Sequence, residues 1–559
     1  MRVVKKIVSY SVKVADEEIE VNGKVYPQTA RVSFRDETKN LVKRQKLAVV
    51  DLDKLYQSIF DGEEVDISDC LVHNFSLHDY RKKYNLEKDS WVEIKNFKAT
   101  GALFEADKEV DFSFAHFIGE ASNFSDAHFG AGNLSFSKAW FHTDTVLFKN
   151  TSYSEGFNSF QYTDFGSGTL NFENASFING DISFVNAQFN DGRVNFKNVD
   201  FGDGGVLFRF AEFGKGDVNF DRAVFNGPFV DFSKVNFGTG KVDFRRCQFG
   251  KTEVSFEEIE LADGRLLFRR AKFGERPVSF RMAHFPEASI VLDEVEFGEG
   301  RVSFFESYVK TISIKSSILS SYVDMRVTKC EVIDLSNAII QNIIDFKKGV
   351  TPVEVETLYL YGVRNLGKLF ISWEGNDIPK IIGGQKKTSH NQKAEQFRLL
   401  KEEFHNLGQY EDEDKAYIEF KRSELANILH ESRKAKWYQK IVNYFNVGFQ
   451  KLVFDWMGLY ATSPVRVLLS IFVLYGMFSM IYVVFEITDH GAISCIASDL
   501  SIFEKIIDSL YFSAVTWLTI GYGECVPTGF FKVVAPLEGW FGVFMMAYFT
   551  VAFVRKILR

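Results

Sequence analysis

The segment TWLTIGYGEC, residues 516–525, carries the most distinctive chemistry of the chain, and that chemistry belongs to the backbone. Gly521 and Gly523 lack a Cβ and can take backbone angles closed to other residues, so successive carbonyls from Thr519 to Gly523 can turn toward one axis. Four copies of such a loop would ring that axis with oxygens that replace the hydration shell of a potassium ion. The Thr519 hydroxyl would add the innermost ring, while Ile520 and Tyr522 would point away and brace the loop against the preceding helix. Non-helical backbone survives at membrane depth only where protein buries it or it lines a water-filled path. The flanking segments must therefore supply a membrane-spanning frame.

They have the composition for it. Residues 467–485 are uncharged and long enough to cross the hydrocarbon core, and residues 533–554 form a second such segment interrupted only by Glu538. Between them, residues 503–517 have helical apolar spacing but are too short to span, which predicts a re-entrant helix. Lys440, Lys451 and Arg466 precede the first span, and Arg555, Lys556 and Arg559 follow the second. The positive-inside rule then places both termini in the cytoplasm of a multi-pass protein of the plasma or inner membrane. The first 20 residues lack an apolar core and soon become acidic, so no secretory signal is expected. Glu538, an ionisable residue inside a span, reads as a hydrogen-bonded structural group near the re-entrant helix. Cys495 and Cys525 fall on the outer side, where free thiols are the default reading and a disulfide the alternative. No CxxC or mixed Cys/His spacing occurs, so neither a zinc site nor a disulfide framework is expected.

This order of outer helix, pore helix, T-x-G-Y-G loop and inner helix resembles the two-transmembrane potassium channels, over residues 464–559. The resemblance implies a homotetramer in the lipid bilayer with a selectivity filter at Thr519, Ile520, Gly521, Tyr522 and Gly523. Potassium ions would bind at Thr519, Ile520, Gly521 and Tyr522, with no cofactor beyond the permeant ion. Gly542 falls at the family's inner-helix hinge, with Gly539 as a second hinge candidate, and Glu524 stands at the outer mouth in place of the common Asp. Leu518 replaces a usual second Thr, and Trp517 ends the pore helix with a bulky side chain.

The N-terminal two thirds are built on another plan. Most of the 59 phenylalanines fall in one region, where Phe recurs every twelfth residue from Phe112 through Phe280 to Phe304, with Leu292 the only replacement. A second series runs five residues behind, from Phe117 and Phe129 onward, with Tyr153 and Leu261 standing in. The unit V-x-F-x-x-A-x-F-G-x-G-x reads as two period-2 strands with turns at the glycines. Twelve residues are too few to enclose two Phe rings. A coil of about 24 residues, stacked at about 4.8 Å, gives a rod of about eight coils and roughly 40 Å. This region resembles the pentapeptide-repeat family, which implies a right-handed β-helix. An antiparallel meander is the alternative fold.

The expected organisation is a multidomain chain. A β-rich N-terminal cap spans 1–109, a solenoid of 12-residue repeats 110–309, and its continuation and C-terminal cap 310–385. A helical hairpin at 386–436 and an interfacial amphipathic helix at 437–463 lead to the all-α pore at 464–559, with outer helix 465–486, pore helix 503–517, filter 519–523 and inner helix 531–555. Phe397, Leu400, Phe404 and Leu407 mark one face of the hairpin, which breaks at Gly408. Lys440 and Lys451 among Ile441, Phe445, Phe449 and Trp456 fit a helix lying on a membrane surface; an ordinary surface helix is the alternative.

A net charge of −8 offers no case for nucleic acid, and the segment IGGQKKTS lacks phosphate-loop spacing and reads as a linker. No catalytic arrangement is expected, so the chain is read as a non-enzyme. The sequence predicts a potassium-selective channel with a large cytoplasmic solenoid that regulates the pore or binds an unidentified ligand or protein. The alternatives are a membrane-anchored solenoid scaffold and a non-selective cation channel. Chain order predicts that regulation of the pore passes from the solenoid through the hairpin and interfacial helix to the outer helix.

Overall fold

The computed structural model describes residues 6–347, 354–488, 493–496 and 500–558. Arg559, one of the flanking cations, lies outside the described residues. The chain forms two compact units divided after Lys386.

In the first unit the Phe series become parallel β-sheets. Val206 pairs with Val230 and Val230 with Val254, so each coil takes 24 residues. One 12-stranded and one 13-stranded sheet run along the solenoid, which excludes the antiparallel meander. Each coil makes four short steps, illustrated by the columns through Val110, Phe117, Ser122 and Phe129. After Phe304 the coils shorten, Val302 pairing with Val323, 21 residues on.

The core is a set of aromatic ladders. Phe112 stacks on Phe136 at 4.7 Å, and the column continues through Phe208 and Phe232 at 4.9 Å to Phe280 and Phe304, also at 4.9 Å. A second column, including Phe124 and Phe148 at 4.7 Å, stands edge-on to the first: the Phe124 and Phe136 rings are perpendicular at 5.4 Å. Offset stacks within a column and edge-to-face contacts between columns are the arrangements aromatic quadrupoles favour.

Two kinds of corner turn the coil. At Gly180 a Cβ would stand 1.6 Å from the Gly156 carbonyl oxygen, so the stacked turns approach too closely for any side chain. The other corners fall two residues after the first-series Phe, at positive φ without glycine, as at Asp126, Asn150, Asn174 and Asn198. These four form a side-chain ladder: Asn198 donates to Asn174, Asn174 to Asn150 and Asn150 to Asp126, at 3.1, 3.0 and 3.0 Å.

Parallel stacking begins upstream of the Phe register, with Ala48 opposite Cys70 and Glu64 opposite Lys95. Helices α1 (Leu52–Phe60) and α2 (Leu77–Lys83) interrupt the first coils, and antiparallel strands Ser9–Ala15, Thr29–Arg35 and Leu41–Val49 extend one solenoid face. They bury His128 between Tyr10 and Phe34.

The second unit is helical. Helix α3 (His390–Asn406) starts at a capping box of Ser389 and Gln392, and turns at Gly408 into α4 (Tyr410–Ser432) over a core of Phe397, Leu400, Phe404 and Ala416. Helix α5 (Trp437–Phe449) leaves Trp437 and Phe445 about three quarters exposed. Among the described residues, two helices are long and apolar enough to cross a membrane, α6 (Pro464–Ile487) and α8 (Phe531–Ile557), with α7 (Ile502–Trp517) between them.

Candidate functional site

The site is built where α7 stops. Its C-terminal turn closes with the Leu518 N–H donating to the Ala514 carbonyl and the Ile520 N–H to that of Val515, after which the chain leaves the helix. From there φ is positive at alternate residues, 54° at Thr519, 64° at Gly521 and 81° at Gly523. Glycine makes two of these three positions free of strain. The Thr519 hydroxyl donates to the Leu518 carbonyl at 2.7 Å, which leaves its oxygen lone pairs available to a cation.

Ile520 and Tyr522 are 47% and 65% exposed in the single chain. Tyr522 lines a cavity of about 280 Å³ together with Tyr511, Phe512 and Val515 of α7 and with Glu524. Glu524 is itself exposed just beyond the loop.

The reading of free outer thiols is corrected. Cys495 and Cys525 form a disulfide, and beside it the Ser494 N–H donates to the Val526 carbonyl at 2.9 Å. The Val526 N–H in turn donates to the Ser494 hydroxyl at 3.0 Å. The loop is thus tied on its exit side to the segment after α6.

Behind the loop, a polar chain crosses three helices. Ser479 of α6 donates to Ser513 of α7 at 2.9 Å, and Ser513 donates to the fully buried Glu538 of α8 at 2.5 Å. Glu538 therefore has the hydrogen-bonded place expected of it. The two serines were not singled out in the sequence; their only signal is a hydroxyl inside an apolar helix. Helix α8 runs unbroken past Gly539 and Gly542, and a Cβ at Gly542 would lie 2.1 Å from the Trp517 carbonyl oxygen. Gly542 is where α8 touches the end of α7. Gly539 is less confined, its nearest such neighbour being the Thr516 carbonyl oxygen at 3.5 Å.

Residues 470–559 match the ion channel family. No curated protein and no solved structure matches the chain. Over this stretch the chain is similar to ion channels, and α6 and α8 are long and apolar enough to cross a membrane.

Proposed function

We propose that the protein is a homotetrameric potassium-selective channel of the plasma or inner membrane, with both termini in the cytoplasm. The observation that carries this reading is the loop Thr519–Ile520–Gly521–Tyr522–Gly523, with positive φ at every second residue, held between a short helix and a membrane-length one. Four such loops around an axis would offer potassium the carbonyls of Thr519, Ile520, Gly521 and Tyr522 and the Thr519 hydroxyl in place of water. The exposed side chains of Ile520 and Tyr522 would pack against neighbouring subunits, which is support for an assembly. Glu524 would set the charge of the outer mouth. Bending of α8 at Gly542 or Gly539 would open the path, and the solenoid would regulate it or bind the unidentified cytoplasmic ligand.

The test is flux into liposomes containing the purified protein, under potassium and under sodium gradients, with Gly521→Asp as the blocked control. Potassium flux that exceeds sodium flux and vanishes in the variant is the expected result. Equal fluxes would replace this reading with a non-selective cation pore. No flux from a sample whose mass is that of a monomer would replace it with an anchored solenoid.

A further inference from the structure

The last turns of α8 are clasped by the helical hairpin and by the turn that precedes α6. Tyr548, Ala552 and Arg555 share one stripe of α8, spaced by four and three residues. At the C-terminal end of this stripe Arg555 donates to the Asp414 carboxylate of α4 at 3.0 Å, and Lys556 lies 3.5 Å from the other carboxylate oxygen. The Arg555 guanidinium also sits 4.6 Å above the Tyr417 ring, one turn further along α4. The Asp414 side chain is nine-tenths buried and that of Arg555 three-quarters buried, so this contact is shielded from solvent far more than a surface ion pair. Both cations also stand in the last turn of α8, where the helix dipole favours positive charge.

The second contact adjoins the first, since Arg555 also reaches the Tyr460 carbonyl at 3.5 Å. Leu459, Tyr460 and Ala461 follow one another at φ of 47°, 57° and 61°, three left-handed residues without a glycine. Such a run persists only where its surroundings hold it. Besides the turn's own backbone hydrogen bonds, Tyr548 helps to hold it: its hydroxyl accepts from the Ala461 N–H at 3.0 Å and donates to the Phe454 carbonyl at 3.1 Å. Gly458 makes room for the ring, since a Cβ there would stand 2.4 Å from it.

We propose that Asp414 and Arg555 form a gating latch through which the hairpin controls the inner helix directly, without routing force through the outer helix, while Tyr548 fastens the same helix to the turn before α6. The inference rests on the channel reading above. It also revises the route expected from chain order, because the hairpin reaches the end of α8 by contact. Asp414, Arg555 and Tyr548 act here as positioning residues that set how far the inner helix can move, while the permeation path is formed elsewhere.

The test is single-channel recording of the full-length protein in planar bilayers, comparing wild type with Asp414→Asn, Arg555→Gln, Tyr548→Phe and the Asp414→Asn/Arg555→Gln double variant. Asp414→Glu serves as the conservative rescue, and native mass measurement verifies assembly. A charge-assisted contact of this kind is expected to move open probability about tenfold when broken. The two members of the ion pair should shift it in the same direction, the double variant no further than either single, and Asp414→Glu back toward wild type. Unitary conductance and potassium selectivity should not change, which a general structural defect would not spare. Wild-type potassium current with unaltered open probability in every variant would overturn the latch and leave the channel reading standing. A silent wild type that variants switch on would support both. Silence of wild type and all variants as intact tetramers would overturn both.

Discussion

The Gly542 backbone of α8 lies against the Trp517 carbonyl at the end of α7, so closely that a Cβ on Gly542 would stand 2.1 Å from that oxygen. The neighbour is backbone at a helix terminus, which cannot rotate aside as a side chain could. Gly542→Ala should therefore push α8 from α7 at a cost of about 1–3 kcal/mol, the range for overpacked sites. Gly539→Ala meets nothing closer than 3.5 Å and removes a helix-weakening residue, so it should be neutral or stabilise by up to about 1 kcal/mol. Thermal unfolding of the detergent-solubilised protein, followed alongside potassium flux, separates packing from hinging. A hinge at Gly542 would show as lost gating with unchanged stability; a packing role requires both to fall together.

The aromatic columns make a different prediction, about range. Phe208 stacks on Phe184 at 4.7 Å and on Phe232 at 4.9 Å, and is fully buried. Phe208→Ala should cost about 3–5 kcal/mol, as Phe truncations in cores do. In a solenoid each coil touches only its neighbours, so the damage should stay local. Hydrogen exchange on the full chain should show lost protection around residues 182–231 and little change near Phe112 or Phe304. Combining Phe208→Ala with Phe232→Ala should depart from additivity, whereas Phe136→Ala with Phe280→Ala should add. Uniform loss of protection along the rod would show instead that it unfolds as one cooperative block.

The 24-residue coil was legible because Phe marks its inward positions without interruption from Phe112 to Phe280, and the G-x-G turns announce themselves by composition. The second set of corners was not, although Asn150, Asn174 and Asn198 have the residue type that tolerates positive φ. Lys138, Tyr162 and Arg222 occupy equivalent corners and dilute that signal. Within the pore region, helix lengths follow from hydrophobic runs, but the Ser479–Ser513–Glu538 chain depends on the rotation of three helices about their axes. The contact of Asp414 with Arg555 joins residues 141 positions apart in a way no local pattern encodes. The Cys495–Cys525 bond likewise needed the pairing of Ser494 with Val526 to bring the thiols together.

His128 gives the solenoid's N-terminal face a defined response to acid. Its ring is enclosed by Tyr10 and Phe34 at 5.0 and 5.2 Å, with Nδ1 2.5 Å from the Ser152 hydroxyl and Nε2 3.3 Å from that of Ser154. Burial pushes its pKa down from 6.5 to about 3, because no carboxylate is near enough to compensate a charged imidazole. In the unfolded chain the same group takes up a proton below about pH 6.5. Between those two values the unfolded state holds the extra proton, so the contribution to stability is complete above pH 6.5 and is lost progressively as the pH falls toward 3. The slope approaches about 1.4 kcal/mol per pH unit for one such group. His128→Gln keeps a hydrogen-bonding side chain that does not titrate, and should be less acid-sensitive than wild type from pH 6.5 to 5, whatever its stability at pH 7.5. The readout is protection of the amides in strands Ser9–Ala15 and Thr29–Arg35, which cover the ring. Parallel loss of protection in the two proteins over that interval would show that another group governs the acid response of this face.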